Sequence, residues 1–128
     1  MYEIKRTGYG YLLVFEGGLT AEEVRAWRDA CASAVRTASG PFGTLVDART
    51  LPAFPKQILQ GIVEGQKIML KAGLERSAVI LRDFDTAELF QTAARKSGLA
   101  ERERILHATR VFNWDVAAVR WIEEGIEP

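Results

Sequence analysis

The stretch that decides the fold is residues 44–56, "TLVDARTLPAFPK", in which an apolar run ends in an acid, a base and a hydroxyl before two prolines. Leu45 and Val46 are predicted to form the centre of a short buried strand. Pro55 suits the first turn of a helix, because the first helical N–H groups have no intrahelical partner. The stretch therefore predicts a strand, a connection and a helix that starts near Pro55.

Helical patterns surround this stretch on both sides. Before it, Thr20 and Glu23 form a capping-box pattern, in which the Thr20 hydroxyl can accept a hydrogen bond from the N–H of Glu23. After it, the second helix carries Gly61 and Gly65 in its interior, where each costs about 1 kcal/mol relative to alanine. We expect these glycines to allow close packing on the sheet rather than to form a hinge.

Five strands are predicted, and the alternation of strands with helices sets their arrangement. A turn at residues 7–10 joins the first two strands as a hairpin, and later strands follow helices, which predicts parallel pairing through right-handed crossovers. The order β-β-α-β-α-β-α-β-α predicts one α/β domain over residues 1–128, with a mixed, mostly parallel sheet and about four helices. The predicted strands are residues 2–5, 11–15, 45–46, 77–81 and 104–108.

Size and charge exclude several classes of protein. The chain has 128 residues, which is typical of one domain. Lys+Arg and Asp+Glu both number 17, so there is no basic excess for a nucleic-acid partner. No apolar run approaches the roughly 20 residues that span a bilayer, and the N-terminus does not resemble a signal peptide. We expect a cytoplasmic protein, and the single cysteine, Cys31, excludes an internal disulfide and a cysteine-rich zinc site.

Polar residues follow three of the predicted strands. The carboxyl ends of parallel strands are where α/β sheets bind ligands, so these residues form a candidate binding site for a small anion or a partner. The alternative is that they only close turns, as Asp and Thr commonly do. The candidates at these strand ends are Asp47, Arg49, Thr50, Asp83, Phe84 and His107.

Catalytic and metal chemistry have little support in the sequence. His107 could act as a general base oriented by Asp47 or Asp83, but no Gly-x-Ser-x-Gly nucleophile elbow exists. An undescribed enzyme would use Asp47, Arg49 and His107 together. One histidine and one cysteine leave too few soft ligands for a metal site, and no phosphate-binding glycine loop is present. We predict no catalytic residue, metal or cofactor, and we expect the sign-alternating run at residues 100–104 to be solvated.

Aromatic residues in the connections suggest two further functions. Phe54, Phe84 and Trp114 are predicted to start helices or to precede them, where they can act as hydrophobic staples. If they are exposed together, they form a contact patch for a protein partner or for a homodimer. A second function is that of a carrier or sensor of a small apolar or amphipathic ligand, with a pocket between the helix of Gly61 and Gly65 and its neighbour.

Two segments resemble a known family. "FNWD" at residues 112–115 leads into "AVRWI" at residues 118–122, and "LVDART" at residues 45–50 ends a strand in an acid. Both are similar to segments of the SpoIIAA-like family, which shares the STAS fold. The resemblance covers nearly the whole chain. It implies a regulatory or scaffolding domain without known chemistry, which acts mainly through protein partners, although some related folds bind lipids or nucleotides.

The chain departs from this family at the phosphorylation site. In the anti-anti-sigma factors of STAS type, a serine at the start of the second helix is phosphorylated, within a pattern that resembles Asp-Ser-x-Gly. No such pattern stands between Thr50 and Gly61, and Thr50 lies too far before Pro55 to sit at the helix N-terminus. The expected function is therefore a non-enzymatic regulatory or protein-interaction domain without the family phosphoserine.

Overall fold

Five strands and four α-helices alternate along residues 1–128, all of which the computed structural model describes. The strands are β1 (Tyr2–Thr7), β2 (Gly10–Phe15), β3 (Phe42–Ala48), β4 (Leu74–Leu81) and β5 (Glu103–His107). The helices are α1 (Ala21–Val35), α2 (Lys56–Ala72), α3 (Phe84–Ser97) and α4 (Trp114–Glu124), with a 3₁₀ turn at Ala100–Arg102. The predicted order of elements is confirmed, although β3 and β4 begin several residues earlier than expected.

The strands form one sheet in the order β1-β2-β3-β4-β5. β1 pairs antiparallel with β2 through the predicted hairpin, and all other neighbours are parallel. The α/β class with a mixed, mostly parallel sheet is therefore confirmed. Because β2 to β5 run in the same direction, their C-terminal ends lie at one edge of the sheet, which we call the carboxyl edge.

Helices cover the two faces of the sheet unequally. α1, α2 and α3 bury a cluster of 23 apolar residues on one face, which includes Val46, Val79 and Leu81. α4 buries a smaller cluster of 7 residues on the other face, which includes Ala78 and Ile80. β4 is thus buried on both faces, as its continuous apolar run predicts. No helix combines the length and the apolar character needed to cross a membrane.

The start of α1 has the predicted capping box. The Thr20 hydroxyl accepts a hydrogen bond from the Glu23 N–H at 3.1 Å, and the Glu23 carboxylate accepts one from the Thr20 N–H at 3.2 Å. Glu23 also contacts the ammonium group of Met1 at 2.9 Å. These bonds satisfy N–H groups that the first helical turn leaves without partners.

Replacing Thr20 by alanine is expected to lower the free energy of unfolding by about 1 kcal/mol, because one N–H of α1 then loses its acceptor. Urea denaturation at neutral pH measures the change. Thr20→Ser retains the hydroxyl and serves as the control, with a loss well below that of Thr20→Ala. Equal stabilities of the alanine and serine variants would show that this cap contributes nothing.

The two glycines of α2 pack against α1 and not against the sheet, which corrects the predicted contact. A Cβ at Gly61 would lie 2.8 Å from the methyl carbons of Val24, and a Cβ at Gly65 would overlap the ring of Trp27. Both α1 side chains are fully buried. Val24 and Trp27 therefore occupy the space that the sequence suggested for a ligand pocket between these helices.

Candidate functional site: the carboxyl edge of the sheet

The pairing register divides the candidate residues between the two faces of the sheet. Asp47 pairs with Ile80, which pairs with Leu106. Ile80 and Leu106 both belong to the apolar cluster beneath α4, so Asp47 lies on the α4 side. His107 follows Leu106 in the strand, and successive side chains of a strand point to opposite faces. His107 therefore lies on the other side, against α3.

On the α4 side, Asp47 and Arg49 form a bidentate ion pair. The Arg49 Nε and Nη2 atoms each lie 2.9 Å from a carboxylate oxygen of Asp47, and the Arg49 backbone N–H donates to the same carboxylate at 3.2 Å. Partial burial acts to raise the pKa of Asp47, but the hydrogen bonds from Arg49 outweigh it and hold this pKa below its ordinary value. The Arg49 guanidinium also lies over the Trp114 ring, 4.6 Å from its centre.

The rest of the β3–α2 connection is held by contacts with neighbouring elements. The Thr50 hydroxyl accepts a hydrogen bond from the Gly17 N–H at 3.1 Å. The Leu51 carbonyl accepts one from the Thr86 hydroxyl, also at 3.1 Å. Thr50 is separated from the start of α2 by the loop of residues 51–55. The connection "ARTLPAF" at residues 48–54 is thus a fixed turn rather than an open loop.

Phe54 does not belong to the carboxyl-edge surface. Its side chain is 8% exposed, and its ring meets the Phe90 ring edge-on, with 6.0 Å between centres. A contact patch of Phe54, Phe84 and Trp114 was expected only if all three were exposed, and Phe54 instead takes the alternative place in the core. The proline-bearing loop folds back under α3, so this ring joins the core.

On the other side of the sheet, Phe84, His107 and Arg110 form a stack. The Phe84 and His107 rings lie 4.5 Å apart between centres at an angle of 31°. The Arg110 guanidinium covers the Phe84 ring at 4.9 Å from its centre. The Nδ1 atom of His107 is buried and has no hydrogen-bond partner. Asp83 has a structural role, because its carboxylate caps α3 by accepting from the N–H groups of Asp85 and Thr86 at 2.8 and 3.3 Å.

Three large apolar side chains are exposed around this edge. Phe84 is 57% exposed at the start of α3, Phe112 is fully exposed in the β5–α4 connection, and Val116 is 46% exposed in the first turn of α4. The only other exposed large apolar side chains are Met1 and Ile126, close to the two termini. We call Phe84, Phe112 and Val116 the edge patch.

Sequence reasoning missed Phe112 and Val116 as surface residues. Phe112 contributed to the family resemblance only, and Val116 was not among the candidate residues. The available signal was the position of Phe112 in the short strand-to-helix connection of residues 108–113. A large apolar residue in such a connection has no adjacent element that must cover it.

The proposed catalytic trio is not assembled. Asp47 and His107 lie on opposite faces of the sheet, and Asp47 is hydrogen-bonded to Arg49. No hydrogen bond joins His107 to a carboxylate, and no cluster of three metal-ligating side chains is present. A cleft of about 240 Å³ lies beside Asp47, Arg49 and Thr50, where Glu16 and Arg82 also contribute side chains. Its two acids and two bases give no excess positive charge for an anion.

A polar site elsewhere in the chain was also missed. The run at residues 100–104 was expected to be solvated, but Glu103 is only 7% exposed and lies in the core beside Ser77. β5 starts one residue earlier than predicted, and this start brings Glu103 into the sheet. Burial raises the pKa of Glu103 to about 8, which a hydrogen bond from Ser77 only partly opposes.

Comparison with known proteins adds no family to these observations. No protein-family model matches the chain, and no curated protein is similar to it in sequence. The fold and the carboxyl edge together define an α/β protein with a five-stranded mixed sheet. Large apolar side chains are exposed at its carboxyl edge.

Proposed function

We propose that the chain is a non-enzymatic, cytoplasmic regulatory or protein-interaction domain of the SpoIIAA-like type, with the STAS fold, which binds a protein through the edge patch. The observation that supports this function is the exposure of Phe84, Phe112 and Val116 at one edge of an otherwise well-packed domain. Large apolar side chains that stay exposed at one edge of a folded domain can mark an interaction surface.

The residues around the edge patch have the composition of an interface. Arg110 lies over Phe84, and aromatic and arginine side chains are the types enriched at the centres of protein interfaces. The Arg110 guanidinium stays exposed and can donate to a partner while its flat side covers the ring. The ion pair of Asp47 with Arg49 holds the neighbouring loop and Trp114 in place, so the surface is fixed before binding.

The partner that best fits this surface is a second copy of the chain. Exposed side chains of both signs occur in the segments at this edge: Asp83 and Asp115 are acidic, and Arg82 and Arg110 are basic. A two-fold symmetric interface brings each residue of the patch against the same patch of the other copy, so a surface that contains both signs can pair them. A net charge of zero adds no overall repulsion between copies.

Replacing Phe112 by serine is expected to weaken self-association at least tenfold, because Phe112 is fully exposed in the monomer and would be covered in the dimer. Sedimentation equilibrium up to on the order of 100 µM measures the dissociation constant. Ile126→Ser, which removes an exposed apolar side chain far along the chain from the patch, is the matched control and should associate like the wild type.

Two results would contradict the proposal in distinct ways. Suppose that the wild type stays monomeric, and that a partner protein binds the wild type but not the Phe112→Ser variant. The interaction function then holds, and the assignment of a second copy of the chain as the partner is wrong. If wild type and Phe112→Ser behave alike in both assays, the edge patch is not an interaction surface. Equal unfolding curves of the two proteins are required in either case.

A further inference from the structure

A row of polar side chains crosses the sheet beneath α2 and α3. Thr44 pairs with Ser77 between β3 and β4, and Ser77 pairs with Glu103 between β4 and β5. The Thr44 hydroxyl donates to the Ser77 hydroxyl at 2.8 Å, and the Glu103 side chain lies beside Ser77 on the neighbouring strand. All three residues are buried. The row is therefore a line of three buried polar side chains that ends at a carboxyl group inside the core.

A small cavity lies along this row, and we call it the polar core cavity. Twelve residues line it, of which eight are hydrophobic. The four polar ones are Thr44, Ser77 and Glu103 from the sheet and Gln66 from α2. The volume of the cavity is about 10 Å³. This is about the space that one water molecule needs. Four of the five buried polar side chains of the protein line it, the exception being Thr86.

One oxygen in this cavity has no partner. Oε1 of Glu103 is buried and makes no hydrogen bond. Gln66 does not serve it: the amide oxygen of Gln66 accepts from the Ser97 hydroxyl at 2.7 Å, and no hydrogen bond joins its amide N–H groups to Glu103. A buried oxygen without a partner costs free energy of about 1–3 kcal/mol, which a water molecule in a polar cavity recovers.

No positive charge compensates an ionised Glu103. No ion pair includes it. On β5, Arg104 pairs with Glu127 and lies over the Trp121 ring beneath α4, on the other face. The neighbouring charged groups of α3 and the 3₁₀ turn are Arg95, which donates to Thr92, Arg102, which donates to the Leu74 carbonyl, and Glu101, which is exposed. α1, α2 and β4 present only Trp27, Gln66 and Ser77 to the cavity as polar groups.

A surface groove connects the same carboxyl group to solvent. The groove lies between α3 and β5, has a volume of about 510 Å³, and is lined by Gln91, Arg95 and Glu103 among others. Glu103 thus forms part of the wall of both the groove and the polar core cavity. Local separation of α3 from β5 would expose it to water.

We propose that the polar core cavity binds one water molecule against a neutral, protonated Glu103, and that loss of this proton favours separation of α3 from β5. The step is a proton transfer in which the carboxyl O–H bond breaks and a water or hydroxide ion in the groove takes the proton. The raised pKa of about 8 agrees with this geometry. A charge left in the cavity then has no partner, so the group is driven towards the solvent of the groove.

Carbon NMR of the wild type with labelled glutamate side chains measures the protonation of the Glu103 carboxyl group. The Glu103 carboxyl signal, assigned by its disappearance in Glu103→Gln, is expected to titrate near pH 8 rather than near the ordinary 4.5. Amide exchange of α3 and β5 measures the separation. Exchange gives the equilibrium constant for the separation of α3 from β5. The ratio of this constant in the wild type to that in Glu103→Gln should rise by up to about tenfold per pH unit between pH 6 and 8.

The water is tested by magnetic relaxation dispersion of water nuclei. The wild type should hold one long-lived water molecule that Glu103→Leu lacks. If Glu103→Leu fails to fold, the presence or absence of this water in the wild type alone tests the proposal. A midpoint below about pH 6, the absence of a long-lived water, or parallel exchange profiles would overturn the proposal. Stabilisation at pH 9 by sodium chloride but not by choline chloride would also overturn it, because a bound cation would then replace the proton.

Discussion

Glu103→Gln is expected to be more stable than the wild type at pH 9 by up to about 5 kcal/mol, and to match it within about 1 kcal/mol at pH 5. Glutamine preserves the shape of the side chain and keeps hydrogen-bonding groups in the polar core cavity, but it carries no charge at any pH. Urea unfolding of both proteins at pH 5, 7 and 9 measures the difference.

The direction of this pH dependence follows from where the proton is held more tightly. The pKa of Glu103 is about 8 in the folded protein and about 4.5 when the side chain is solvated. Between these values the folded state binds more protons than the unfolded state, so stability is complete below about pH 4.5 and falls as the pH rises towards 8. At 1.36 kcal/mol per pH unit, the difference between the two pKa values corresponds to a loss of at most about 5 kcal/mol in the free energy of unfolding.

Glu101→Gln is the matched control, since it makes the same change two residues away on an exposed side chain. Its stability should differ from that of the wild type by no more than about 0.5 kcal/mol over the whole pH range. If Glu103→Gln instead follows the wild type in parallel from pH 5 to 9, Glu103 has the same pKa in the folded and unfolded states, and the proposed neutral Glu103 is wrong.

Glu103 also shows where local sequence patterns stop being informative. "AERER" at residues 100–104 alternates in sign and has no apolar member beyond its first residue, which is typical of a solvated segment. Its fourth residue, Glu103, is buried because the strand pairing places it opposite Ser77. Pairing register is a long-range property, and neither the charge pattern nor the propensity of five residues contains it.

The sequence predicted the location of the candidate site at the sheet edge, but not the face of the sheet on which each residue lies. Alternation of strands and helices placed Asp47, Asp83 and His107 at one edge of the sheet correctly, because parallel strands end together. The pattern did not assign them to faces, since a shift of one residue reverses the direction of a side chain. Phe54 and Phe84 both precede or begin helices, and only the packing of the β3–α2 loop beneath α3 makes the first buried and the second exposed.

Gly65→Ala is expected to lower the free energy of unfolding by about 3 kcal/mol, the largest effect we expect from a single added methyl group. In an exposed helix the same change would raise stability by about 1 kcal/mol, since alanine is the better helix former. Here the new Cβ would overlap the Trp27 ring, which is 2% exposed and packs against Phe15 with 5.2 Å between ring centres. Guanidinium unfolding at neutral pH measures the loss.

A double-mutant cycle with Trp27→Phe identifies the cause of that loss. The atoms nearest to the added Cβ are in the six-membered part of the indole, beyond the reach of a phenyl ring, so Gly65→Ala should cost at least about 1 kcal/mol less in the Trp27→Phe background. Gly18→Ala is the control, because a Cβ there meets no atom within 4 Å. If Gly65→Ala proves neutral or stabilising, the α1–α2 contact is loose enough for helix propensity to dominate. Space for an apolar ligand between these helices would then exist, and the carrier function that their close packing opposes would regain support.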